Sequence, residues 1–252
     1  MTKEQFIFST IRPMAEYTFP YLTSIVGVTE LDAGEHVGSG LRAVVNGRRA
    51  VITARHVVEQ AVKYPMQFAV SAGYGRPPYL VRGKVELDPV GDLSVYYLPI
   101  DFPGDEPGIS FWPEDRLQRS TDRLSTDFLF THGFPALNSR FLRLHEGLVS
   151  RSLPYGAMQR LEPEVRDLQP DEFAIEFDPT GMRALESGGE VSLDPHGLSG
   201  SPVWRIGISG RSRDEWSPAL SQVVGFLTQW RSDDKVLVAT SAGRLSEILN
   251  RS

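Results

Sequence analysis

The chain has no cysteine among its 252 residues. That excludes disulfide staples, thiolate nucleophiles and cysteine-ligated zinc together. Histidine is scarce, five in all, and no His/Asp/Glu spacing reads as HExxH or a similar ligand set, so neither metal nor other cofactor is expected. Long apolar runs are missing. None approaches the roughly 20 residues that cross a bilayer, and the opening MTKEQFIFSTIRPMAEY lacks the apolar centre of a secretory signal. A cytoplasmic protein without a membrane partner is the expectation. Basic excess is missing too: 26 Lys+Arg against 32 Asp+Glu give a formal charge of −6, which disfavours nucleic acid as a partner. No repeat or low-complexity tract is present.

What is there suits a globular protein: 40% hydrophobic and 23% charged residues, in a chain long enough for one large or two small domains with a real core. Short apolar runs alternate with turn signals, the pattern of an all-β chain. GLRAVVNGRRAVITA, residues 40–54, places Asn46-Gly47 between two apolar runs and predicts a type I′ hairpin. Further strands are expected at 21–30, 66–72, 92–98, 127–134, 141–150, 172–177, 201–208, 221–230 and 235–240. Helices are expected to be few: a short turn over 56–62, and a C-terminal docking helix with Leu245, Ile248 and Leu249 at helical spacing. The Pro- and Gly-rich stretch 99–122 would connect a first β-unit to a second. Residues 151–170, polar and punctuated by proline, predict a long loop or lid.

One stretch suggests chemistry. PHGLSGSPVWR, residues 195–205, presents Ser199 between glycines directly before a buried strand. A serine nucleophile needs a base, and none of the five histidines follows it, which excludes the α/β-hydrolase order; the G-x-S-x-G elbow fails as well, at Ser201. The order left is His, Asp, Ser. His56, in VITARHVVE, stands where a strand hands over to a helix. Asp92, in VGDLSVYYL, opens an apolar strand, from which a carboxylate can fix the imidazole tautomer. Asp88 competes for that role. His36, His132 and His145 read as structural, and His196 either lines a pocket or caps a turn.

At these residues the chain resembles the trypsin-like (chymotrypsin-fold) serine peptidases, in particular the cysteine-free bacterial branch with the high-temperature-requirement proteases. GSGLRAVV (38–45), ITARHVV (52–58), GDLSVYYL (91–98), HGFP (132–135), GLSGSPVW (197–204) and VVGFLTQW (223–230) occur in family order across most of the chain. The resemblance implies two six-stranded antiparallel β-barrels with a C-terminal helix: an N-terminal extension over 1–20, a first barrel over 21–115 and a second over 116–252. It implies a serine endopeptidase with His56 as general base, Asp92 as its orienting partner and Ser199 as nucleophile, the N–H groups of Gly197 and Ser199 forming the oxyanion hole. Substrate would pair with the strand near Thr228 and Gln229. Leu193 would floor the primary pocket beside His196, favouring small or aliphatic residues, with Asp194 able to invert that preference.

The chain departs from the pattern in three places, of which Ser201, standing for a glycine two residues after the nucleophile, is tolerable. Leu198 stands where the extracellular trypsins carry an Asp that pairs with a new N-terminus, so no activation cleavage is expected. Trp230 replaces a glycine common at the pocket rim, which would narrow the cleft. The partner is then a protein or peptide substrate, with a further partner able to supply restraint. An esterase using the same acyl transfer, or a catalytically quiet module that binds a peptide or protein in the cleft, is the alternative.

Overall fold

The structure, a computed structural model, describes residues 3–29, 34–63, 66–71, 77–88, 90–103, 106–117, 128–143, 147–160, 165–179, 182–183, 190–191 and 194–250. The chain begins with helix α1 (Lys3–Thr18) and continues through β1 (Leu22–Val28), β2 (Gly34–Val45), β3 (Arg48–Ala54), helix α2 (Arg55–Ala61), β4 (Gln67–Val70), β5 (Tyr79–Leu80), β6 (Val85–Leu87) and β7 (Leu93–Tyr97). These strands make one curled antiparallel sheet in the order β5-β4-β1-β2-β3-β7-β6. Asn46 and Gly47, at φ 48° and 68°, form the expected left-handed turn between β2 and β3.

Seven strands stand where six were expected, and the reason is a break in one of them. β5 and β6 lie on opposite edges of the sheet yet are only five Cα steps apart, at most roughly 18 Å. The sheet must therefore curl until its edges approach. The connecting stretch bonds first to β4 and then to β7: Val81 N–H donates to Phe68 O at 3.0 Å and Tyr97 N–H to Lys84 O at 2.9 Å.

The second half contains β8 (Phe128–Gly133), β9 (Ser139–Arg143), β10 (Gly147–Ser150), β11 (Leu153–Arg160), β12 (Glu172–Glu176), β13 (Met182–Arg183), β14 (Glu190–Val191), β15 (Pro202–Arg205), β16 (Gln222–Arg231), β17 (Val236–Ser241) and the short helix α3 (Leu245–Leu249). Its main sheet is antiparallel and curled, six strands in the order β11-β12-β17-β16-β15-β8, with β8 also paired to β11.

Three expectations change here. The lid over 151–170 is in large part strand β11, whose Leu153, Tyr155 and Ala157 pack on the core of the second sheet; Pro154 and Gly156 hide that alternation. Val165 is buried among Ala174, Val236 and Val238, with Leu168 packed against them. The single strand over 141–150 is instead the hairpin β9–β10, two strands paired antiparallel. Lastly, α1 is a 16-residue helix in a segment without a helix prediction, because the internal Pro13 reads as a breaker. No helix among the described residues is long and apolar enough to cross a membrane.

Three main hydrophobic clusters organise the two sheets. One face of the first sheet gathers Ile25, Val51, Val57, Phe68 and Tyr96. A second cluster, with Leu129, Ile175, Phe177, Val203 and Leu227, belongs to the second sheet. The largest lies between them: Leu41, Ile52 and Leu93 meet Phe130, Trp204 and Phe226, with Trp112 of the connector between. Ile11 and Met14 of α1 and Leu245 and Ile248 of α3 close its ends. Successive residues of β3 thus enter different cores, which explains why Ala50–Ala54 are buried without interruption.

Candidate active site

The end of β3 delivers His56 into the first turn of α2. That helix has Ala54 at its N-cap, which offers no side-chain bond, and Asp92 supplies one from the neighbouring strand. Asp92 Oδ1 accepts the His56 N–H at 3.0 Å, and its carbonyl accepts the Arg55 N–H at 2.9 Å. Asp92 Oδ2 lies 2.6 Å from His56 Nδ1. An ionised carboxylate can only accept, so Nδ1 carries the proton and Nε2 keeps a lone pair. Asp92 adopts φ 48°, a left-handed conformation that costs a non-glycine residue about 1 kcal/mol or more and that these three bonds maintain. Both side chains remain reachable, 42% and 36% exposed. Asp88, the competing carboxylate, is instead paired with Arg244.

The loop 194–201 crosses β2 at Ser39 and the end of β3 at Ala54. Ser39 N–H donates to Ser199 O at 2.9 Å, and a Cβ on Gly200 would lie 2.1 Å from Ser39 O and 3.0 Å from Ala54 N. Ser199 therefore sits at the same end of the first sheet as the His56–Asp92 pair. Gly197 and Gly200 have φ 89° and 83°, where only glycine is relaxed. Three amides of the loop are satisfied within the molecule: Leu198 by Pro195 O, Gly200 by Leu227 O and Ser201 by Leu198 O. Among the described residues the N–H groups of Gly197 and Ser199 have no acceptor. Buried Leu198 fastens the loop to the second sheet's core.

Ser39, without an assigned role in the sequence, and His36, read there as structural, brace this loop. Fully buried Ser39 accepts the Phe134 N–H and donates its hydroxyl to Gly197 O, both at 2.8 Å. His36 bridges Ser24 Oγ (2.7 Å) and Phe134 O (2.8 Å). A carbonyl can only accept, so Nε2 carries the proton there and Nδ1 accepts from Ser24. Burial lowers the His36 pKa to about 4, although the carbonyls of Phe134 and Gly197 work against it. The signal available for Ser39 is its place in GSG at 38–40. We expect Ser39→Ala to cost about 1–3 kcal/mol of stability, because it strands a buried N–H and a carbonyl. Denaturant unfolding checks this, and an unchanged midpoint would show that the relay carries no weight.

The remaining sequence candidates fall as follows. His132 is a buried structural histidine, its Nδ1 2.8 Å from Thr18 Oγ1, and His145 and Leu193 lie outside the described residues. His196 is exposed; its N–H donates to Asp194 Oδ1 at 3.0 Å and its Nδ1 pairs with the same oxygen. These bonds hold the Asp194 carboxyl below its usual range. Thr228 is buried at a bulge of β16 and Gln229 is exposed. Trp230 turns edge-on to Phe177, with centroids 5.1 Å apart. Among the described residues no His/Asp/Glu cluster could hold a metal ion.

Compared with known families and with curated proteins, the chain matches no family model and has no significantly similar curated relative.

Proposed function

We propose that the protein is a serine endopeptidase of the trypsin-like kind, its two curled sheets corresponding to the two barrels of that fold. The observation that carries this is one juxtaposition. The His56–Asp92 pair and the Ser199 turn lie at the same end of the first sheet, and among the described residues the Gly197 and Ser199 amides of that turn have no acceptor. Ser199 Oγ attacks the substrate carbonyl while His56 Nε2 takes its proton. The new oxyanion receives the N–H groups of Gly197 and Ser199, and such preorganised donors are worth on the order of 10²–10³ in rate each. The tetrahedral adduct collapses as the imidazolium returns the proton to the leaving amine. Water, deprotonated by His56, then attacks the acyl-serine, and acid and hydroxyl are released.

Residues 228–230 offer substrate an edge, because the pairing of β15 with β16 ends at Pro202 and Phe226. Asp194 is engaged by His196, which leaves the preference for small or aliphatic residues in place.

A fluorophosphonate probe tests the reading without knowledge of the substrate. Labelling is expected on Ser199 and is expected to vanish in Ser199→Ala with the melting temperature nearly unchanged. Ser201 is fully buried and should not substitute. A folded protein that takes no label would instead support the quiet peptide-binding module.

A further inference from the structure

The turn that carries Asp92 belongs to the first sheet by sequence but is gripped by the second. Asp88 and Leu93 are held face to face. Asp88 N–H donates to Leu93 O at 2.8 Å, and Asp88 Oδ1 accepts the Val90 N–H at 3.0 Å. The Asp88 side chain is 2% exposed, and Arg244 takes both of its oxygens: Nη2 to Oδ1 and Nε to Oδ2, each 2.9 Å. Gly91, the residue immediately before Asp92, is pressed against this pair. A Cβ there would lie 2.6 Å from Asp88 Oδ2, 3.0 Å from Arg244 Nε and 3.2 Å from Thr240 Cγ2 of β17. Arg244 is itself fixed by Glu247 at 2.7 Å and Asp171 at 3.5 Å.

We infer that Arg244, acting through Asp88, is a positioning residue that registers Asp92 and His56 against the sheet that presents Ser199. The inference rests on His56 and Ser199 acting together as proposed above. A buried ion pair is weak evidence for stability, since a well-packed apolar pair can do as well. What a forked guanidinium–carboxylate contact supplies is direction: two parallel bonds fix both the position and the tilt of the carboxylate. Burial opposes ionisation of Asp88, but the Arg244 contact and the Val90 and Gly91 amides prevail and hold its pKa below the usual range. The pair therefore stays charged, and the fork intact, across the neutral range.

Asp88→Asn and Arg244→Lys test this; the second keeps the charge and loses the fork. Three readouts are compared with the parent: melting temperature, fluorophosphonate labelling rate and the low-field proton resonance of the His56–Asp92 bond. A positional slip of about 1 Å can cost on the order of 10² in rate. Labelling is therefore expected to slow by about 10- to 100-fold, with the resonance shifted upfield or broadened, in variants that remain folded. Glu247→Gln, which leaves the fork in place, should stay close to the parent. If Asp88→Asn does not fold, Arg244→Lys carries the same measurements. Folded variants with an unchanged resonance and labelling rate would overturn the inference. Failure of the parent to label would sink the peptidase reading instead, and the resonance, which needs no turnover, would still decide the role of Arg244.

Discussion

Replacing His56 with alanine is expected to lower peptide turnover on the order of 10⁴–10⁶-fold, with the sheets intact. In the proposed mechanism the side chain supplies three things at once: a base for Ser199, an acid for the leaving amine and a base for the hydrolytic water. Nothing else among the described residues replaces it, since His36 and His132 are held in structural contacts and His196 is paired with Asp194. Asp92→Asn is the sharper variant. One amide atom can still accept the His56 N–H, so α2 keeps its cap. The other then donates toward Nδ1 and drives the imidazole into the tautomer that carries its proton on Nε2. A base already protonated at the working nitrogen cannot take the Ser199 proton, and a loss on the order of 10⁴ in kcat is expected. Steady-state kinetics on a peptide substrate check both variants. Asp92→Asn at the parent rate would mean that the observed pair is not used in turnover.

Much of this arrangement was within reach of the sequence, for local reasons. Asn46-Gly47 announces its hairpin because few dipeptides accept two left-handed residues. The strands buried on both faces show as mainly apolar runs broken only by small hydroxyl residues. His56, Asp92 and Ser199 stand at ends of strands, where a polar side chain interrupts an apolar pattern and so attracts notice.

What was illegible was either non-local or masked by a breaker. Ser39 and Gly197 are 158 residues apart, and Asp88 and Arg244 are 156 apart. Ser39 alone looks like any serine, and Arg244 alone like any surface charge. Pro13 obscures α1, although Ile7, Ile11 and Met14 face the core from it, and Pro154 and Gly156 obscure β11. In both cases tertiary burial of the apolar face overrides the local penalty. Residues 79–87 resist prediction for another reason. The same short stretch serves both edges of a curled sheet, a property of closure rather than of any residue in it.

Stability is expected to fall steeply as pH drops from 6.5 toward 4. His132 is fully enclosed and burial pushes its pKa down to about 3; in part-buried His36 burial lowers it to about 4. Both would titrate near the ordinary 6.5 in the unfolded chain. Above that value neither state holds the protons and the full stability is present. Below it the unfolded chain binds protons that the folded protein refuses, so each unit of falling pH removes up to about 1.4 kcal/mol per group until the folded pKa is reached. Over this window His132 accounts for up to about 3 kcal/mol and His36 for somewhat less, a large share of the roughly 5–15 kcal/mol typical of a folded domain. Asp88, whose pKa is lowered from 3.8, adds a further loss only in stronger acid, as its contact with Arg244 is protonated away. The site is exposed to this effect because His36 needs an unprotonated Nδ1 to accept from Ser24 while it braces Phe134, beside Gly197. Denaturant unfolding from pH 8 to pH 4 checks the slope, and His132→Gln should remove about half of it. A parent profile that stays flat between pH 7 and pH 5, or a His132→Gln profile parallel to the parent, would show that these two imidazoles are not the groups that resist protonation.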